Sequence, residues 1–206
     1  MADLLPAIEV ETAPKPDASV IWLHGLGDTG DGWSQVVPGL GLPKSMRVRF
    51  VFPHAPKMAV AINNGYVMPA WYDIREANLS ERADVPGVQR SQAQLAALMA
   101  RENARGVDDA RIVLAGFSQG GAVALYTGLR HPKRIAGIVA LSTYLVSANA
   151  LPCRFSKCGA ARRAHRRRSD GCNRHRLLWR LLWGRYCLRS WDRHHPRFDH
   201  RHRERR

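Results

Sequence analysis

The feature that most constrains the fold is segment 110–131, where a short apolar run meets a glycine-rich turn and then a helix-forming stretch. The apolar run, ARIVLAG, has the length of a buried strand. The stretch GGAVALYTGLRH has helical composition and ends before Pro132. Between them lies the pentapeptide GFSQG, centred on Ser118. A strand that returns directly as a helix is typical of folds that alternate the two elements.

Other segments repeat this alternation. Short apolar runs bounded by glycine or proline occur at 18–25, 47–56 and 134–142, and a helical pattern with a glycine stop covers 85–106. Strands that alternate with helices form a mostly parallel sheet with helices on both faces. The sequence therefore predicts an α/β fold up to about residue 152.

Composition divides the chain near this point. Of 32 Lys and Arg residues, 18 lie in residues 153–206, together with 4 of the 17 acidic residues, all four cysteines and six of the nine histidines. The preceding part has nearly balanced charge and no cysteine, as in proteins of reducing compartments, and we expect a cytoplasmic location. Residues 1–19 do not resemble a secretory signal, and no apolar run reaches the length of a membrane-spanning helix.

The pentapeptide is a candidate nucleophile turn. A tight turn from strand to helix would hold Ser118 in a strained backbone conformation, and the glycines on either side would prevent clashes between the two elements. The start of the following helix would favour negative charge near the hydroxyl. The alternative is an ordinary turn with a serine that caps the helix.

The loop HGLGD at 24–28, directly after the first strand, completes the same chemistry. Acyl transfer needs two N–H donors directed at the oxyanion, one after the nucleophile and one from an early loop. Gln119 would supply the first donor and Leu26 the second. Alone, this loop reads as a plain glycine-rich loop, but its pairing with the serine turn favours an oxyanion hole. The phosphate-binding pattern G-x-x-x-x-G-K-[ST] is absent, and although GLGDTG at 25–30 has the spacing G-x-G-x-x-G, that pattern alone is a weak signal.

Four motifs, VIWLHGLGDTGDGW, FVFPHAP, PAWYDI and LAGFSQGGAVAL, occur in this order within residues 18–152. Together they resemble the phospholipase/carboxylesterase family of α/β-hydrolases, which includes bacterial carboxylesterases and acyl-protein thioesterases. The resemblance implies a serine hydrolase of carboxylic esters and thioesters. It implies the following roles: Ser118 as nucleophile, Leu26 and Gln119 as the oxyanion hole, and Trp71 and Tyr72 in the acyl site. No cofactor is expected, and no metal, because the cysteine spacing does not match a strong zinc pattern.

The histidine that should activate the serine is not recognisable. The family continues after the strand at 134–142 with H-G-x-x-D-x-x-V-P and a later histidine, and neither follows here. The triad order in this fold is Ser, Asp, His, so His24 and His54 precede the serine in the wrong order. We therefore expect esterase ancestry in a chain that is inactive or nearly so.

Residues 153–206 admit three interpretations. The arginine-rich stretch could bind nucleic acid, or RLLWRLLWGRYCL could form an amphipathic helix on an anionic membrane. A shifted reading frame in a GC-rich gene would also produce abrupt Arg, Trp, Cys and His, and we favour this hypothesis. The predicted organisation is an incomplete α/β-hydrolase domain at 1–152, lacking its C-terminal strands, and an arginine-rich tail that is disordered or out of frame. The alternative function is a non-catalytic protein that binds nucleic acid or anionic membrane through this tail.

Overall fold

A computed structural model describes residues 4–43, 45–75 and 84–147 of the 206-residue chain. The arginine-rich tail predicted for 153–206, and with it the domain boundary at 152, lies outside the described residues. In chain order the strands and helices are β1 Ala7–Glu11, β2 Ala18–Leu23, α1 Gly30–Ser34, β3 Val48–Pro53, β4 Lys57–Val60, β5 Tyr66–Pro69, α2 Val85–Ala104, β6 Ile112–Phe117, α3 Gln119–Arg130 and β7 Gly137–Leu141. No helix within these ranges is long and apolar enough to cross a membrane.

Five strands form one sheet in the order β1-β3-β2-β6-β7. The strands β3, β2, β6 and β7 are parallel to their neighbours, and β1 pairs antiparallel with β3. This arrangement confirms the predicted mostly parallel sheet. The two central strands, β2 and β6, both end at the edge of the sheet where the HGLGD loop and the serine turn begin, because parallel strands share the direction of their carboxyl ends.

Alternate residues of β2 face opposite sides of the sheet, as strand geometry requires. Ile21 and Leu23 are fully buried in a core shared with the apolar faces of α2 and α3. Trp22 lies on the other face with Phe50 and Phe52, beneath α1 and the short 3-10 turn that follows it. Helical segments therefore cover both faces, as predicted.

Helix α2 has a defined signal at each end. The Asp84 side chain accepts a hydrogen bond from the Gly87 N–H (3.1 Å), which satisfies a donor of the first turn. At the other end Gly106 has φ of 90° and its N–H donates to the Asn103 carbonyl (2.9 Å). Glycine is favoured at this left-handed position, so the predicted stop at Gly106 is where the helix closes.

Strands β1, β4 and β5 were not predicted. The hairpin of β4 and β5 lies in segment 57–74, which has no clear periodicity, and Tyr66 and Val67 are 69% and 59% exposed. Strand β1 is short and carries two glutamates. The hairpin strands bury little apolar surface and lack the alternation from which a strand is recognised, whereas β1 alternates Ile8 and Val10 with its glutamates but is only five residues long.

A buried carboxylate joins α2 to β2 and β3. The Glu102 side chain is fully buried, accepts a hydrogen bond from the Ser19 hydroxyl (2.6 Å) and pairs with Arg49 (2.8 Å) and Arg105 (3.1 Å). Burial alone would raise the pKa of the Glu102 carboxyl, but the bonds from Ser19 and Arg49 outweigh burial and hold the pKa below its usual 4.5. The carboxylate is therefore charged in the folded protein at neutral pH.

We expect Glu102→Gln to lower the free energy of unfolding by about 3 kcal/mol, because it removes the fully buried carboxylate that pairs with the largely buried Arg49. Urea unfolding measures this loss. The carboxylate stabilises the fold above pH 4.5, and this contribution is lost as the pH falls through the lowered folded-state pKa. The difference in free energy of unfolding between wild type and Glu102→Gln should therefore decrease as the pH is lowered. Glu11→Gln, at a partly exposed partner of the same arginine, should cost less than about 1 kcal/mol. Equal losses for the two variants would contradict the stabilising role of the buried Glu102 carboxylate.

Candidate active site

Ser118 lies between β6 and α3 with φ of 51° and ψ of −117°, a conformation that non-glycine residues rarely adopt. Its N–H donates to the Leu141 carbonyl (2.9 Å). Its carbonyl accepts from the Ala122 N–H (3.1 Å) and from the Thr143 hydroxyl (2.6 Å). These bonds offset a backbone strain of about 1–3 kcal/mol and leave the side chain partly exposed. Sequence reasoning missed Thr143, since no spacing rule marks a hydroxyl that supports the turn from β7.

Glycines at 116 and 120 permit direct contact between backbones. A Cβ on Gly116 would lie 2.5 Å from the Gly120 carbonyl carbon, and one on Gly120 would lie 2.4 Å from the carbonyl oxygens of Leu23 and His24. Only a residue without a side chain fits at either position. The start of α3 therefore packs against both β6 and the end of β2.

The early loop lies beside the serine. A Cβ added to Gly25 would be 3.7 Å from the Ser118 Cβ. The loop turns at 25–28, where the Asp28 N–H donates to the Gly25 carbonyl (3.3 Å) and Gly27 takes a φ of 77°. The Gly27 N–H donates to the Pro69 carbonyl (2.9 Å), so the end of β5 holds the far side of this turn.

The N–H groups of the two predicted oxyanion donors have no partner in the part of the chain that the structure describes. Within residues 4–43, 45–75 and 84–147, neither the Leu26 N–H nor the Gln119 N–H has a hydrogen-bond acceptor. The Gln119 N–H is unpaired because it belongs to the first turn of α3. The structure thus brings Ser118 together with the loop of Leu26 and the start of α3. Their assignment as nucleophile and oxyanion hole stays a prediction.

Trp71 and Tyr72 lie in the core behind this site, at 3% and 1% exposure. The Gln119 side-chain amide accepts from the Trp71 N–H (2.9 Å) and donates to the Tyr72 carbonyl (2.7 Å). The Trp71 indole N–H donates to the His24 carbonyl (2.9 Å), and the Tyr72 hydroxyl bonds to that of Tyr144. The polar atoms of both residues are thus engaged by protein groups, and their contact with substrate stays a prediction.

None of the histidines that the structure describes hydrogen-bonds to Ser118. The His24 Nδ1 bonds to the Gly25 carbonyl, and the His54 Nδ1 accepts from the Gly30 N–H at the start of α1 (3.3 Å). The His131 Nε2 lies 3.5 Å from the Asp109 Oδ1. In the same part of the chain, no group of three His, Cys, Asp or Glu side chains is placed to hold a metal ion.

Gly120→Ala tests the close packing at the start of α3. Helix propensity alone predicts a gain of about 1 kcal/mol. The clash with two backbone carbonyls should instead lower the free energy of unfolding by about 3 kcal/mol, at the upper end for overpacking. Gly137→Ala is the control, because a Cβ there meets nothing within 4 Å. If urea unfolding showed a higher free energy of unfolding for Gly120→Ala than for wild type, the close contact between α3 and the end of β2 would be wrong.

Comparison with known proteins adds a family match. The profile of the family described as Phospholipase/Carboxylesterase matches residues 6–169, which extends on both sides of the span of the quoted motifs. Acyl-protein thioesterase 1 of Schizosaccharomyces pombe is 41% identical over 157 residues, covering 76% of this chain and 69% of that protein. Acyl-protein thioesterase 1 of Yarrowia lipolytica is 42% identical over 142 residues, covering 68% and 63%. The chain thus spans 60% to 69% of the length of these and two further curated relatives.

Solved structures show the same likeness. Acyl-protein thioesterase 2 of Zea mays superposes with a TM-score of 0.61 at 33% identity, over 77% of this chain and 71% of that one. SOBER1 of Arabidopsis thaliana superposes with a TM-score of 0.59 at 31% identity, over 62% and 61%. Both the sequence and the fold of the described part therefore point to one group of proteins.

Proposed function

The chain belongs to the phospholipase/carboxylesterase family, and from that membership we propose that it derives from serine hydrolases of carboxylic esters or acyl thioesters that react through Ser118. The observation that carries the proposal is the positive φ of Ser118 at the junction of β6 and α3, beside the early loop. The names of the thioesterase relatives support acylated substrates.

In the proposed reaction the Ser118 oxygen attacks the carbonyl carbon and the carbonyl oxygen becomes an oxyanion. The N–H groups of Leu26 and Gln119 would bind this oxyanion, since both lack another acceptor in the described residues. The alcohol or thiol then leaves with a proton, and water releases the acid from the acyl-enzyme. The serine proton needs an acceptor in the first step, and in the family pattern a late histidine supplies it.

We further propose that this chain is strongly impaired. The family block that carries the aspartate, and the histidine after it, are not recognisable in the sequence. His24, His54 and His131 have other partners. Loss of the histidine from a serine hydrolase costs about 10⁶-fold in kcat, or roughly 8 kcal/mol of barrier. The oxyanion donors would still leave about 10³–10⁴-fold over water.

Reaction with a fluorophosphonate tests both proposals. We expect slow labelling of the full chain at Ser118, as located by mass spectrometry, and none in Ser118→Ala. Ser34→Ala, which removes a partly exposed hydroxyl of α1, should label as the wild type does. Equal labelling of Ser118→Ala and wild type would refute the nucleophile assignment. Sustained thioester turnover that Ser118→Ala abolishes would support the hydrolase and refute the impairment.

A second function rests on the charge of residues 153–206, which hold 18 of the 32 Lys and Arg residues. A non-catalytic protein could use this stretch to bind nucleic acid or anionic membrane, and phosphate neutralisation would make that binding steeply dependent on salt. This function does not require Ser118 to react.

Retention of the full chain on duplex DNA and on anionic vesicles separates the two functions. If the second function holds, retention should fall steeply between 50 and 200 mM salt, by about 10³-fold or more for DNA. It should disappear when residues 153–206 are deleted and persist in Ser118→Ala. Retention that survives the deletion would exclude the tail as the binding element.

A further inference from the structure

Two partners fix the protonation of the buried His24 side chain, which is fully enclosed at the end of β2. Its Nε2 lies 3.0 Å from the amide nitrogen of Ala55, and a backbone N–H can only donate. Nε2 must therefore accept and carry no proton. Nδ1 lies 2.7 Å from the Gly25 carbonyl oxygen, which can only accept, so Nδ1 carries the proton and donates it. Burial lowers the pKa of His24, which favours this neutral ring.

The Gly25 carbonyl accepts the short bond from the His24 Nδ1 (2.7 Å) and a longer one from the Asp28 N–H (3.3 Å), and its direction also sets that of the Leu26 N–H. This carbonyl and the Leu26 N–H belong to one planar trans peptide, so they point in opposite directions. Holding the carbonyl toward His24 therefore directs the Leu26 N–H away from the imidazole. The next peptide is held separately, because the Gly27 N–H donates to the Pro69 carbonyl (2.9 Å). Among the residues that the structure describes, the Leu26 N–H has no acceptor and lies between two restrained peptides.

The peptide before it is held as well. The His24 carbonyl accepts from the Trp71 indole N–H (2.9 Å), and the Trp71 backbone N–H donates to the Gln119 side chain (2.9 Å). Hydrogen bonds thus run from the residue after Ser118, through Trp71, to the loop that carries Leu26. The two segments whose N–H groups are proposed to bind the oxyanion are therefore linked through the side chains of Gln119 and Trp71.

We propose that His24 is a positioning residue, which sets the direction of the Leu26 N–H through its Nδ1 hydrogen bond to the Gly25 carbonyl. The inference rests on the proposed function, since it assigns how one oxyanion donor is oriented. Within the described residues the two ring nitrogens of His24 bond to the Gly25 carbonyl and the Ala55 N–H and not to the Ser118 hydroxyl, so this role is separate from proton transfer.

Two neutral amides separate the bonds that His24 makes. The amide of His24→Asn reaches the place of Nδ1 and can donate to the Gly25 carbonyl. The amide of His24→Gln reaches the place of Nε2 and can accept from the Ala55 N–H. We expect the rate of fluorophosphonate labelling at Ser118 to stay within about threefold of wild type in the Asn variant. It should fall about 10- to 100-fold in the Gln variant, approaching the cost of one oxyanion donor.

The amide signal of Leu26 in a ¹⁵N-labelled chain gives a second readout that a loss of general stability would not move. It should shift in His24→Gln and stay near its wild-type position in His24→Asn, with urea midpoints measured alongside. Equal labelling rates for wild type and a folded Gln variant would overturn the proposal, as would an Asn variant slowed tenfold or more. If His24→Gln does not fold, the Asn variant decides alone by the same limits. If wild type is not labelled at Ser118, the proposed function fails, and the Leu26 signal still decides the role of His24.

Discussion

The described structure depends on one close approach, in which the first turn of α3 rests on the carbonyl groups that end β2. Only a glycine fits at 120, because a Cβ would lie 2.4 Å from two carbonyl oxygens. The same approach places Ser118 beside the early loop and requires its positive φ. Strain at one residue is tolerated because hydrogen bonds from β7 and α3, together with the support of Thr143, fix the turn on three sides.

The buried side chains of Gln119 and Trp71, behind the serine turn, hydrogen-bond to backbone groups rather than to one another. The backbone N–H of Gln119 is a proposed oxyanion donor, while its buried side-chain amide hydrogen-bonds to the Trp71 N–H and the Tyr72 carbonyl. Trp71 in turn reaches the carbonyl of His24. Low exposure makes each of these hydrogen bonds costly to lose, because a freed polar atom would find no water. The arrangement therefore has few alternative geometries.

The sequence predicted those elements whose start or end depends on residues close to them in the chain. The apolar run before Ser118, the glycines around it and the stop at Gly106 are each recognisable from neighbouring residues, and the structure has β6, α3 and the end of α2 at these places. The contacts of Trp71 could not be predicted in this way. Its partners, His24 and Gln119, lie 47 and 48 residues away, and no periodicity reports a hydrogen bond between a side chain and a distant backbone. For the same reason no sequence pattern distinguishes Glu102 from the other polar residues of α2.

Strand β1 shows that the sheet includes residues that precede the motifs. The recognisable motifs begin at residue 18, yet β1 pairs with the outer side of β3 from Ala7↔Pro53 to Glu11↔Arg49. Excision of the chain at Ala18 would uncover a hydrogen-bonding edge of β3, which invites pairing with other molecules and aggregation. The polypeptide that covers this edge of the sheet is therefore longer than the segment that carries the motifs.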